Sequence, residues 1–111
     1  TGVQGQKWYV TNTSDGYVTL KNGHGYMLDV YYGKNEDGTN IQTHAANGED
    51  AQKFKIMETS QAGVYGITTK ISSDARALDI YNWSKEDGTN VCQWTYFAAE
   101  NQMWQFEACN N

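Results

Sequence analysis

A chain of 111 residues with 39% hydrophobic content and fifteen aromatic side chains can bury a single core, which excludes a second domain and a disordered chain. The net charge of −5, with eight scattered Lys and Arg, disfavours nucleic acid as a partner, since phosphate neutralisation needs clustered cations. No apolar run is long enough to span a membrane, so no membrane partner is expected either.

From the amino end, Gln6-Lys7-Trp8-Tyr9-Val10 has the aromatic and β-branched content of a strand. Asn12-Thr13-Ser14-Asp15-Gly16 reads as a turn, Tyr17–Lys21 as a strand, and Asn22-Gly23 as a tight hairpin closure. Tyr26–Tyr31 is the next strand, 33–38 a polar loop, and Asn40–His44 a strand. Asn47-Gly48 is a further turn signal, and Gln52-Lys53-Phe54-Lys55-Ile56 alternates strictly with period two. The same order then recurs as strands over 64–69, 77–81, 90–95 and 102–106, with no helix of useful length.

That recurrence is visible residue by residue. Sliding 28–44 onto 78–94 gives eight identities in seventeen positions, among them Leu28/Leu78, Asp29/Asp79, Tyr31/Tyr81 and the whole Asp-Gly-Thr-Asn block at 37–40 and 87–90. Gln6-Lys7-Trp8, Gln52-Lys53-Phe54 and Gln102-Met103-Trp104 are three versions of the strand that closes each unit. Self-similarity at this period means that each copy is a supersecondary unit that buries its apolar face only against its neighbours. Short strands at regular spacing point to an all-β barrel or sandwich.

The ordered motifs Leu-Asp-Val/Ile, Asp-Gly-Thr-Asn-Val/Ile and Gln-x-Trp/Phe, found twice with a third Gln-x-Trp at residues 6–8, resemble the ricin B-chain-like lectins and the family 13 carbohydrate-binding modules. The resemblance implies a β-trefoil of four-stranded repeats forming one domain over 1–111. Here 1–12 would be the end of a truncated first repeat, 13–58 the second and 59–111 the third. It implies that Trp8, Phe54 and Trp104 lie in a shared core. It also implies a shallow sugar pocket on each repeat, with a carboxylate accepting hydrogen bonds from adjacent sugar hydroxyls and an aromatic wall covering the sugar's C–H face.

By position, one pocket would use Asp79, Trp94, Asn101 and Gln102, and the other Asp29, Gln42, His44 and Gln52. Tyr81 and Trp83 would extend the first of these, and Tyr31 and Tyr32 lie near the other carboxylate. Cys92 stands where Gln42 stands in the other copy, and Ala51 where Asn101 stands, so each pocket lacks one polar contact of the family pattern. The indole makes the Asp79 pocket the better equipped. The expected partner is a carbohydrate such as xylan, galactan, arabinan or a galactose-type glycan. The expected setting is a non-catalytic, secreted module of a glycan-degrading enzyme or lectin. The alternative is a protein-interaction trefoil of the cytokine or protease-inhibitor kind.

Other chemistries fit less well. The loop Asn35-Glu36-Asp37-Gly38 lacks the spacing and the closing glutamate of an EF-hand, and Cys92, Cys109, His24 and His44 have no zinc-ligand spacing, so no metal or cofactor is expected. Glu36/Asp37 and Glu86/Asp87 are symmetric duplicates, whereas a glycosidase needs a unique carboxylate pair. The two cysteines are equally compatible with one disulfide and with two buried thiols. A trefoil has twelve strands and the sequence supplies nine, so the missing three are expected from another fragment or from identical chains in a closed homo-oligomer.

Overall fold

The computed structural model describes residues 8–80, 91–97 and 102–105. Among these are nine strands: β1 (Trp8–Asn12), β2 (Val18–Asn22), β3 (Met27–Val30), β4 (Ile41–His44), β5 (Phe54–Glu58), β6 (Val64–Thr69), β7 (Arg76–Ile80), β8 (Val91–Thr95) and β9 (Trp104–Gln105). Three short 3-10 turns, Tyr31–Gly33, Asp50–Gln52 and Lys70–Ser72, connect them. The all-β expectation holds.

All pairings among the strands are antiparallel. β2 lies between β1 and β5, and β6 between β5 and β9, which gives a curved wall of five strands. Two hairpins stand off that wall. In one, Asp29 faces Gln42 across β3 and β4; in the other, Asp79 faces Cys92 across β7 and β8. The two carboxylates fifty residues apart thus occupy the same register position in equivalent hairpins. The hairpins meet where Asn40 bridges Cys92, which nearly closes the sheet.

Local chemistry explains the turns. After β2 the chain reverses through Asn22–Tyr26, where the Asn22 side-chain carbonyl accepts hydrogen bonds from the amides of His24 and Tyr26, both at 3.0 Å. The left-handed residue there is Gly25, at φ +91°, and not Gly23. The expected two-residue closure is therefore a wider turn, with the asparagine contributing its side chain as a local acceptor.

The core gathers Leu20, Val30, Ile41, Phe54, Ile67 and Leu78, with Trp104 packed against it. Phe54 is fully buried, as expected, and Trp104 is half-buried, its indole N–H donating to the Leu78 carbonyl at 3.3 Å. Trp8 departs from the expectation: it is 41% exposed. All five residues of β1 are exposed, because the strand pairs with β2 on one edge and no other described strand flanks it. Burial of a large ring needs cover on both sides, and β1 has it on one.

Candidate functional site

Asp29 is buried on β3, and burial of a carboxylate is tolerated only with hydrogen-bond donors in place. Gln52, itself fully buried at the end of the 3-10 turn Asp50–Gln52, supplies one. Its Nε2 donates to Asp29 Oδ2 at 2.8 Å and to the Ala45 carbonyl at 2.9 Å, while its Oε1 accepts from the Asn47 amide at 3.0 Å. The second copy repeats this circuit atom for atom. Gln102 Nε2 donates to Asp79 Oδ2 at 2.9 Å and to the Thr95 carbonyl at 2.9 Å, and its Oε1 accepts from the Phe97 amide at 3.0 Å.

This geometry assigns the glutamines a job different from the expected one. Both Nε2 hydrogens of Gln52 and of Gln102 are committed inside the protein, and both side chains are shut off from solvent. They hold the aspartates in place and are not free to donate to a ligand. Among the described residues no side chain or backbone amide donates to Asp29 Oδ1, which leaves that oxygen with acceptor capacity.

Around Asp29 opens a cleft of about 470 Å³ lined by Tyr32, Gln42, His44, Asn47 and Glu49 among others. The sequence-derived set Asp29, Gln42 and His44 is therefore brought together, with Gln52 directly behind it. Tyr32 is 81% exposed and stands on the cleft wall at a φ of +49°, a conformation rare for a residue with a Cβ. His44 Nδ1 lies 3.1 Å from the Ala45 carbonyl, the same acceptor that Gln52 uses; as a donor there, the ring carries its proton on Nδ1. Ala51 also lines the cleft, its small side chain leaving room where a larger one would fill it. Asn47 and Glu49 were missed: Asn47-Gly48 has the signature of a turn, and nothing local indicates that the turn forms a rim.

In the second copy Asp79 and Gln102 are in place, and Trp94 is 41% exposed on β8. A Cβ built on Gly38 would lie 3.7 Å from Trp94 Cζ3, so the indole rests on the Asp-Gly-Thr-Asn loop of the first copy. Tyr81, Trp83 and Asn101 lie outside the described residues. Cys92 is a free thiol, 1% exposed, opposite Asp79. Burial, then the charges of Asp79 and Asp37, push its pKa up to about 11. In this position it is an inert apolar filler where Gln42 is polar.

The loop over 34–39, read against calcium from its spacing, is tied to the second copy. Asp37 accepts from the Thr95 amide at 2.8 Å, the Thr95 hydroxyl at 2.9 Å and Arg76 Nε at 2.9 Å. Burial alone would raise the Asp37 carboxyl, but the bonds from Thr95 and Arg76 outweigh it and hold its pKa below the ordinary value. Its carboxylate is engaged in joining the two copies.

The ricin-type β-trefoil lectin domain-like family model matches residues 4–94. The chain belongs to this ricin-type family. Among solved structures, a designed three-fold symmetric protein, ThreeFoil, superposes on the ricin-type domain with a TM-score of 0.87 at 32% identity, over 95% of this chain and 74% of that one. An exo-β-1,3-galactanase from Clostridium thermocellum gives a TM-score of 0.86 at 30% identity over 95% of this chain and 22% of the galactanase. A mosquitocidal holotoxin shares the fold, with a TM-score of 0.82 at 19% identity over 98% of this chain and 13% of the toxin chain. No curated protein matches. The ricin-type domain thus corresponds to about a fifth of the galactanase.

Proposed function

We propose that the domain is a non-catalytic carbohydrate-binding module whose pockets are built on Asp29 and Asp79. The observation that carries this reading is the duplicated carboxylate–glutamine circuit. Two buried aspartates each accept from the Nε2 of a buried glutamine, and one stands in a cleft with an exposed ring on its wall. A fixed carboxylate suits vicinal hydroxyls, and a ring suits the C–H face of a sugar. Duplicated shallow pockets gain strength through avidity, whereas a reaction needs one asymmetric constellation. The ligand class is a neutral polysaccharide or glycan of the xylan, galactan, arabinan or galactose type, and the likeness to part of a galactanase favours galactan.

The setting proposed is a secreted glycan-degrading enzyme or lectin, with the domain over 1–111 divided at 12/13 and 58/59. Another polypeptide, either a further fragment or a second copy, is proposed to complete the barrel beside β1. Trp8, Tyr9 and Val10 stand exposed on that strand, whose second edge meets no other described strand, and an open edge is a template for association. Affinity electrophoresis through gels containing soluble xylan, galactan or arabinan tests the main reading. Retardation in at least one gel, abolished in an Asp29→Asn, Asp79→Asn double variant, is the expected result. Unretarded migration in all three overturns it in favour of a protein-binding trefoil.

A further inference from the structure

The first pocket is not a self-contained property of the first copy. Tyr32 sits in the 3-10 turn Tyr31–Gly33, where the chain leaves β3, and the turn runs directly into the loop over 34–39. The base of this excursion is closed by the Tyr31 amide donating to the Asn40 carbonyl at 2.9 Å, and the Tyr31 ring supports the Tyr32 ring with centroids 4.4 Å apart. The rest of the loop is fastened to β7 and β8. The Gly38 amide donates to the Gln93 carbonyl at 2.8 Å and the Gln93 amide to the Thr39 carbonyl at 2.9 Å. Gln93, fully buried, donates from Nε2 to the Lys34 carbonyl and to the Glu36 carbonyl. Arg76 spans the loop, with Nη1 on Asn35 Oδ1 at 2.6 Å and Nε on Asp37, which Thr95 also holds.

These anchors are not products of the duplication. At the positions fifty residues earlier, Arg76, Gln93 and Thr95 correspond to Tyr26, Thr43 and Ala45, so the copies differ just where the clamp is made. A non-glycine residue at positive φ persists only when its surroundings over-determine it. At Tyr32 those surroundings are Tyr31 before it, whose amide is tied to Asn40 and whose carbonyl accepts from the Lys34 amide at 3.2 Å, and after it Gly33, itself at φ +61°, which leads into the clamped loop.

We propose that Arg76, Gln93 and Thr95 are positioning residues for the neighbouring pocket, holding Tyr32 as a second stacking wall beside a sugar bound at Asp29. This rests on the carbohydrate-binding reading. The clamp replaces a floppy exposed ring with a preorganised one, which reduces the ordering cost of binding.

The test is a double-mutant cycle in an Asp79→Asn background, which silences the second pocket while keeping an oxygen for Gln102. The chain is titrated by calorimetry with xylobiose, β-1,3-galactobiose and arabinobiose in turn. Tyr32→Ala is expected to weaken the best-bound disaccharide about 10-fold, the scale of a lost stacking surface. Arg76→Met with Thr95→Val is expected to weaken it by a similar factor, and Arg76→Lys with Thr95→Ser to restore most of it. In the Tyr32→Ala background the clamp substitutions are expected to cost less than about 2-fold, because the group they position is gone. Equal losses with and without Tyr32, or no loss in either single arm, overturn the proposal. Asp29→Asn separates the two ideas. Binding that depends on Asp29 but not on Tyr32 sinks the clamp alone, whereas binding indifferent to Asp29, or absent for all three disaccharides, sinks the carbohydrate reading and the clamp with it.

Discussion

Replacing Gln52 by leucine removes three hydrogen bonds while nearly preserving volume, so the loss reads the polar circuit and not a cavity. The bond to Asp29 is made to a buried side-chain carboxylate, and those to Ala45 and Asn47 are made to backbone groups. A bond to a carboxylate contributes about 1.5–3 kcal/mol and a neutral one about 0.5–1.5, so Gln52→Leu is expected to cost about 2.5–6 kcal/mol. Against a typical domain stability of about 5–15 kcal/mol this is severe, and it corresponds to a midpoint shift of about 2 M in urea. Equilibrium urea unfolding followed by tryptophan fluorescence measures it, with the slope unchanged if only stability has moved. Gln102→Leu, which breaks the same bonds in the second copy, is expected to match it within about 1 kcal/mol. A loss below about 1 kcal/mol for either variant would refute the assignment of the glutamines as the supports of the aspartates.

Other outcomes follow from the same structure. Asp29→Ala and Trp94→Ala are each expected to weaken glycan binding by about 1–3 kcal/mol, measured by calorimetry on soluble galactan; unchanged binding in both removes the assigned pockets. Cys92, with its pKa pushed up to about 11 and its sulfur buried, is expected to resist iodoacetamide at neutral pH until the protein is unfolded in urea, as peptide mass mapping would reveal. Asp37 has a folded pKa below its ordinary 3.8, so its contribution to stability is fully present above that value and is lost as pH falls through the depressed one. Asp37→Asn is therefore expected to flatten the acid limb of a stability–pH curve below about pH 4 and to change its slope little above it. Light scattering with intact mass tests the completion of the barrel: a 12.5 kDa monomer that unfolds cooperatively at low concentration would refute it.

Much of this architecture was legible in the sequence because duplication prints every structural constraint twice. Asp29 and Asp79 stood out as identities, and they are the equivalent residues of equivalent hairpins. The nine expected strands appear because each is short, rich in β-branched or aromatic residues, and bounded by turn residues. What stayed hidden was relational. The role of Gln52 depends on which way its amide faces, and that is set by the 3-10 turn before it and by the chain returning at Ala45 and Asn47. Trp8 has the same motif as Trp104, yet its burial depends on neighbours that a motif does not contain. The Asp-Gly-Thr-Asn block was legible as a repeat but its partners were not, since in the first copy its aspartate meets Arg76 and Thr95, where the matching positions fifty residues earlier hold Tyr26 and Ala45.

The bonds between the loop over 34–39 and β8 also bear on where such a domain can be cut. A segment excised at the sequence boundaries of one copy, residues 13–58, would carry almost every side chain that lines the first cleft, yet would leave behind the strand that fixes the loop beside it. The heritable module and the mechanical module of this protein are offset from each other. A graft of the first cleft therefore keeps its fastening when it extends through β8 and loses it at a junction between β5 and β6.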